Sequence, residues 1–212
     1  MTNRRRLKTT IFCALAIPLL GLLTGCMTTS PPKSPDNLCR IFEEKPKWYK
    51  AAKKSEKRWG TPIHVQMAIV NQESSFRAKA KPPRKKLFGL IPTVRPSSAY
   101  GYAQVKDATW DWYRDKSGNG IASRSNFGDA IDFVGWYGDR SQKSVGISKW
   151  DAKNQYLAYH EGHGGFRKKS YRKKKWLVQV ANKVQRRAES YGGQLKSCEK
   201  KLNRGWDLWP FW

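Results

Sequence analysis

The chain has 212 residues, enough for one domain with a real core, and 42 Lys and Arg stand against 16 Asp and Glu for a net charge of +26. A charge of that size calls for polyanionic surroundings, nucleic acid being the first candidate. No stretch beyond the first 25 residues is long and apolar enough to form a membrane-spanning helix.

In chain order, Arg4, Arg5, Arg6 and Lys8 precede the short apolar run TIFCALAIPLLGLL and then Leu23-Thr24-Gly25-Cys26. Basic region, apolar run and small residues before a cysteine read as a secretory signal over 1–25 with a lipobox, so Cys26 is expected to be lipidated. Export moves the nucleic-acid reading to a distant third and leaves phospholipid headgroups and wall carboxylates as the polyanions. Without the four cations of the signal the charge falls from +26 to +22. Met27 is not the aspartate linked with inner-membrane retention, so the expected location is the periplasmic face of the outer membrane. Cys39 and Cys198 remain near the two ends of the mature chain, and an oxidising compartment would let them pair and close nearly the whole domain into one loop; two free buried thiols are the alternative.

Residues 26–37 are polar and proline-rich and read as a flexible lipidated tether. A domain is expected over 38–200. Helical patterns run from about Pro46 to Trp59, broken at Gly60, and from Thr61-Pro62, read as cap and first-turn proline, to Glu73. The second is mostly apolar and predicts a buried central helix. Residues 77–105 hold four prolines and read as a long irregular segment with room for a small β-hairpin. Further helices are predicted over Asp107–Lys116, Asp129–Ser141, Ala152–Glu161 and Lys174–Tyr191, the last ended by Gly192-Gly193. The fold class is mainly α. The aromatic tail 201–212 would dock on the domain, a membrane interface or a partner.

Three short motifs carry the chemistry: Glu73-Ser74, Gly101-Tyr102-Ala103-Gln104 and Ala158-Tyr159-His160. Their order and spacing resemble the SLT-type lytic transglycosylases, whose pattern is Glu-Ser at a helix end, Gly-Leu-Met-Gln, then Ala-Tyr-Asn. Here Tyr and Ala replace the middle pair of the second motif, and His160 replaces Asn. The resemblance covers roughly Trp59 to Phe166 and implies a lysozyme-like helical SLT domain acting on peptidoglycan glycan strands. It implies Glu73 as the single acid and base. Tyr159 would hold the Glu73 carboxyl by a hydrogen bond, Ser74 and Gln104 would bind sugar polar groups, and Gly101 would let backbone approach the sugar. Tyr100 and Tyr102 would stack on sugar faces, with His160 at the sugar or simply packed. Ser74 reads equally as a helix-end hydroxyl bonding backbone, Gln104 as a structural amide and Tyr159 as a core aromatic.

Cleaving a glycosidic bond takes a proton on the leaving oxygen, and a carboxyl keeps one at neutral pH only in an apolar site. Met67-Ala68-Ile69-Val70 before Glu73 provide such a setting. A lysozyme-type hydrolase needs a second carboxylate; Asp107 and Asp139 are available, though no motif marks them. A non-catalytic wall-binding lipoprotein is the alternative of another class. His160, Glu161 and His163 lie close together, but not in zinc-protease spacing. No metal, no cofactor and a monomer are expected. The basic runs at 82–86 and 167–175 are solvated faces or wall- and lipid-binding patches.

Overall fold

A computed structural model describes residues 30–84, 86–88 and 90–207; the expected signal over 1–25, Cys26 and the aromatic end 208–212 lie outside the described residues. Among the described residues seven α-helices follow one another: α1 (Leu38–Glu44), α2 (Pro46–Trp59), α3 (Ile63–Ser74), α4 (Asp107–Ser117), α5 (Phe127–Val145), α6 (Ala152–Arg167) and α7 (Lys175–Asp207). Between α3 and α4, β1 (Lys86–Leu87) and β2 (Ile91–Pro92) pair antiparallel as the small hairpin expected in the irregular segment.

Helix α3 is the central element. Ile63, Val65 to Asn71 and Ser74 are all buried, so nearly every face of the helix is covered. Helices α2, α5, α6 and α7 pack against it, and α2 packs most extensively on α5. The α2–α3 corner turns at Gly60, which is left-handed at φ 73°. Thr61 does not cap α3 as expected. Its hydroxyl donates to the Gly135 carbonyl at 2.9 Å, and the first free amide of α3, at Ile63, finds the Glu56 carboxylate at 3.1 Å. The reason is the close approach of α5: a Cβ on Gly138 would lie 2.4 Å from Thr61 Oγ1, and one on Gly135 2.3 Å from Ser55 Oγ. The polar groups trapped there satisfy one another, with Gln66 Nε2 donating to Thr61 O at 2.6 Å and Ser55 Oγ 2.9 Å from Gln66 Oε1.

Three sequence expectations change. Gly192-Gly193 do not end the last helix, which continues to Asp207. The continuation is tied down: Cys198 is disulfide-bonded to Cys39, and Gln194 Oε1 accepts from Leu38 N at 2.7 Å. A Cβ at Gly192 would make only ordinary contact with the His64 ring, at 3.5 Å, so glycine is not required there. The end of the tether is fixed rather than flexible, because Pro35 O accepts hydrogen bonds from Asn71 and Tyr191, and Asp36 pairs with Arg187 at 2.9 Å. Helix α1 was not foreseen; Asn37 caps it through Oδ1, and Leu38, Ile41 and Phe42 bury one face.

Candidate active site

Glu73 stands in the last turn of α3, where two consecutive non-glycine residues, Ser75 (φ 50°) and Phe76 (φ 61°), adopt left-handed backbone. Such conformations cost on the order of 1 kcal/mol or more each and persist only when packing enforces them. Phe76 is completely buried and packs on Trp48, which supplies that enforcement. The abrupt end leaves the Glu73 side chain on the wall of a cleft of about 450 Å³. Phe133 and Tyr137 from α5, Tyr159, His160 and Glu161 from α6, and Gln104 share the lining. Burial among these rings raises the Glu73 carboxyl to about 7, against the opposing pull of a hydrogen bond from Tyr156. Near neutral pH the group therefore exists in both protonation states, as an acid that turns base requires.

Tyr159 does not hold Glu73. Its hydroxyl donates to the Ala103 carbonyl at 2.6 Å, joining α6 to the Gly101–Gln104 turn, while its ring lies against Phe133 and Tyr137. The hydrogen-bond partner of Glu73 is Tyr156, one helical turn earlier, a residue sequence reasoning missed. The only sequence signal for it is the spacing of three that places Tyr156 and Tyr159 on one face of α6. Burial, and then the charge of Glu73, pushes the Tyr156 hydroxyl far above the usual phenol range, so it remains a donor.

Three further expectations are corrected. Ser74 is buried and returns its hydroxyl to Val70 O at 3.2 Å, the helix-end alternative. Tyr102 is buried edge-on against Trp48 and Phe127 and presents no face to a ligand. Gly101 is required by the protein itself: at φ 79°, a Cβ would fall 2.0 Å from the Arg124 carbonyl oxygen. That carbonyl accepts from Tyr102 N at 3.2 Å, so the 122–126 loop by itself accounts for the glycine. Tyr100 is half-buried between Lys81 and Arg124, each 5.4 Å from its ring centre, in a neighbouring pocket that shares Ala99 with the cleft.

Gln104 and His160 do line the cleft. The Gln104 side-chain amide donates to Ala80 O and Gly101 O, both at 2.9 Å, which fixes its orientation and leaves Oε1 as its acceptor. His160 is exposed, with Nδ1 3.0 Å from Glu161 and its ring edge-on to Trp176. Glu161 is the unforeseen second carboxylate of the cleft. Burial alone would raise it, but Lys174 at 2.7 Å, Ser170 and His160 together pull it down to about 2. It ends the regular part of α6, because Gly162 follows at φ 72° and ψ 161°. Asp107 and Asp139 are elsewhere. Asp107 pairs with Arg124 at the neighbouring pocket, and Asp139 is buried under Arg140, Lys143 and Lys149, which hold it ionised. The histidines are dispersed: His163 meets Ser141 at 3.0 Å and stacks on Tyr137, and His64 lies by Trp150.

Residues 14–198 of the chain match the family described as Transglycosylase SLT domain. No curated protein and no solved structure matches the chain.

Proposed function

The chain belongs to the family of transglycosylase SLT domains, lysozyme-like helical domains that act on peptidoglycan, and on that premise we propose that Glu73 is the single acid and base of a lytic cleavage of the MurNAc–GlcNAc β-1,4 bond. The observation that carries the proposal is a carboxyl raised to about 7 on the wall of an aromatic cleft. Protonated Glu73 gives its proton to the glycosidic oxygen as the C1–O bond breaks. The N-acetyl oxygen of the same sugar closes on C1, so no second carboxylate is needed to hold the oxocarbenium-like centre. Glu73, now ionised, takes the proton of the C6 hydroxyl, whose oxygen displaces the acetamido oxygen at C1. The product is a 1,6-anhydro-MurNAc end, Glu73 is protonated again, and no water is consumed. The enzyme is thus a carbon–oxygen lyase.

Tyr156 holds the Glu73 carboxyl through the cycle, and Gln104 Oε1 accepts from the acetamido N–H. Phe133, Tyr137 and Tyr159 keep water away from the carboxyl. The enzyme works from the periplasmic face of the outer membrane, held by acyl chains on Cys26, a placement supported by the basic and apolar order of residues 4–26.

One observation favours a second reading. Glu161 is an ionised carboxylate on the same cleft, as a lysozyme-type hydrolase requires. Its lone pairs are engaged by Lys174, Ser170 and His160, which argues against a nucleophile. Digestion of purified sacculi followed by mass analysis separates the two: 1,6-anhydro ends are expected, and reducing MurNAc ends would establish the hydrolase. Sacculus binding with no soluble fragments would leave a non-catalytic wall-binding protein.

A further inference from the structure

The irregular segment that carries Gln104 also carries the β1–β2 hairpin, and the hairpin turns its apolar side chains outward. Leu87 is 50% exposed, Phe88 86%, Leu90 81%, Ile91 59% and Val94 85%. These are five of the nine large hydrophobic residues exposed among the described residues, gathered within eight positions. A concentrated apolar patch of this kind marks a binding surface. The backbone presents it rather than folding it back. Phe88 is left-handed at φ 51°, an unfavourable state for a bulky residue, and Leu90 N closes the turn on Leu87 O at 3.1 Å. Arg95 Nη1 donates to Pro82 O at 2.5 Å and ties the two legs at their base. Prolines 82, 83, 92 and 96 stiffen those legs.

Charge identifies the occupant. Residues 77–106 contain eight Lys and Arg and no Asp or Glu. Arg84 and Arg95 flank the apolar turn, and Lys79 and Lys81 are exposed on the approach to it. An apolar tip above a belt of cations matches an anionic bilayer, where the tip enters the acyl boundary and the cations meet phosphates. A nucleic acid would use the belt and leave the tip in water; an apolar protein groove would use the tip and leave the belt without a role. We propose that the β1–β2 hairpin and its flank to Arg95 form a membrane wedge that inserts Phe88, Leu90 and Val94 into anionic phospholipid. The contact is separate from any acyl chain on Cys26. Because Tyr100 and Gln104 follow in the same segment, a docked hairpin also fixes how the cleft lies relative to the leaflet.

The test uses the full chain with Cys13→Ser and Cys26→Ser, so that no acyl chain is attached and the Cys39–Cys198 disulfide is kept. A single environment-sensitive nitrobenzoxadiazole label is placed by Leu90→Cys, or by Gln142→Cys on the exposed side of α5 as control. With vesicles of equal phosphatidylglycerol and phosphatidylcholine, the label at 90 is expected to blue-shift and brighten about threefold while the label at 142 does not, and pure phosphatidylcholine is expected to give much less. Phe88→Asp with Val94→Asp is expected to abolish the response, with the circular-dichroism melting curve unchanged. No response at 90 on vesicles that do capture the protein, or an equal response at 142, overturns the proposal. A blue shift that grows with protein concentration in the absence of lipid also overturns it, and makes the tip a contact between copies of the chain.

Discussion

Glu73 is placed so that the burial behind its proposed role works against folding. Its carboxyl titrates near 7 when folded, against 4.5 when exposed in the unfolded chain. Below 4.5 both states are protonated and the site is neutral in its effect. Between 4.5 and 7 the unfolded chain ionises first, so stability falls, and above 7 the loss is constant at about 3 kcal/mol. Glu73→Gln keeps an acceptor for Tyr156 and removes the titration. Thermal melts of the two proteins should therefore coincide near pH 4 and diverge up to pH 7 with the variant more stable, while muropeptide release by the variant is lost; a constant gap across that range would remove Glu73 from the site. Tyr156→Phe probes the same carboxyl from outside. The hydrogen bond lowers the Glu73 pKa, so its loss should move the alkaline limb of kcat/KM to higher pH and lower kcat about tenfold through lost positioning. An unmoved limb would mean that Tyr156 only packs. The motifs made Glu73, Gln104 and His160 legible because each lies on the cleft. They could not tell Tyr156 from Tyr159, since both share one face of α6 and only packing against Phe133 and the Ala103 carbonyl decides which hydroxyl reaches Glu73. Ser74, Gly101 and Tyr102 follow the motif for internal reasons: a hydroxyl returned to its own helix, a carbonyl 2.0 Å from a missing Cβ, and a ring buried against Trp48.

At the scale of elements, what the sequence tells depends on whether a helix ends for a local or a tertiary reason. Helix α2 starts at Pro46 and stops at a left-handed Gly60, and both ends were legible because proline and glycine act on their own backbone. Gly192-Gly193 carried the same local signal and misled, because the disulfide and Gln194 hold α7 together beyond them. Glycines on α5 and α7 accordingly predict opposite effects of one substitution. Gly138→Ala puts a methyl 2.4 Å from Thr61 Oγ1 and gains helix propensity of about 1 kcal/mol, less than the 1–3 kcal/mol that overpacking typically costs. Gly193 has nothing within 4 Å of its hypothetical Cβ, so Gly193→Ala keeps the propensity gain whole. Urea midpoints should fall for the first and rise for the second; a rise for both would mean that α5 can move away from the α2–α3 corner at little cost.

For the whole molecule, two long-range forces matter, and both are visible in composition before any contact is known. One is the Cys39–Cys198 bond, which joins α1 to α7 across 159 residues of sequence. Closing so long a loop restricts the unfolded chain, and Cys198→Ser should lower stability by about 5 kcal/mol without moving the cleft residues. The other is charge. Beyond residue 25 the net charge is +22, and peptidoglycan carries carboxylates, so attraction acts before any sugar enters the cleft. Screening shortens its reach from about 10 Å at 0.1 M salt to about 3 Å at 1 M. Binding to sacculi should weaken about tenfold or more over that range, and Lys168→Glu with Lys173→Glu, both exposed, should flatten the dependence. Glu73→Gln, measured at pH 5 where Glu73 itself is protonated, should leave the slope unchanged because the substitution removes no charge there. A salt-independent affinity would place recognition wholly in the cleft. A slope altered by Glu73→Gln would mean that the carboxyl is ionised at that pH, contrary to its burial among Phe133, Tyr137 and Tyr159.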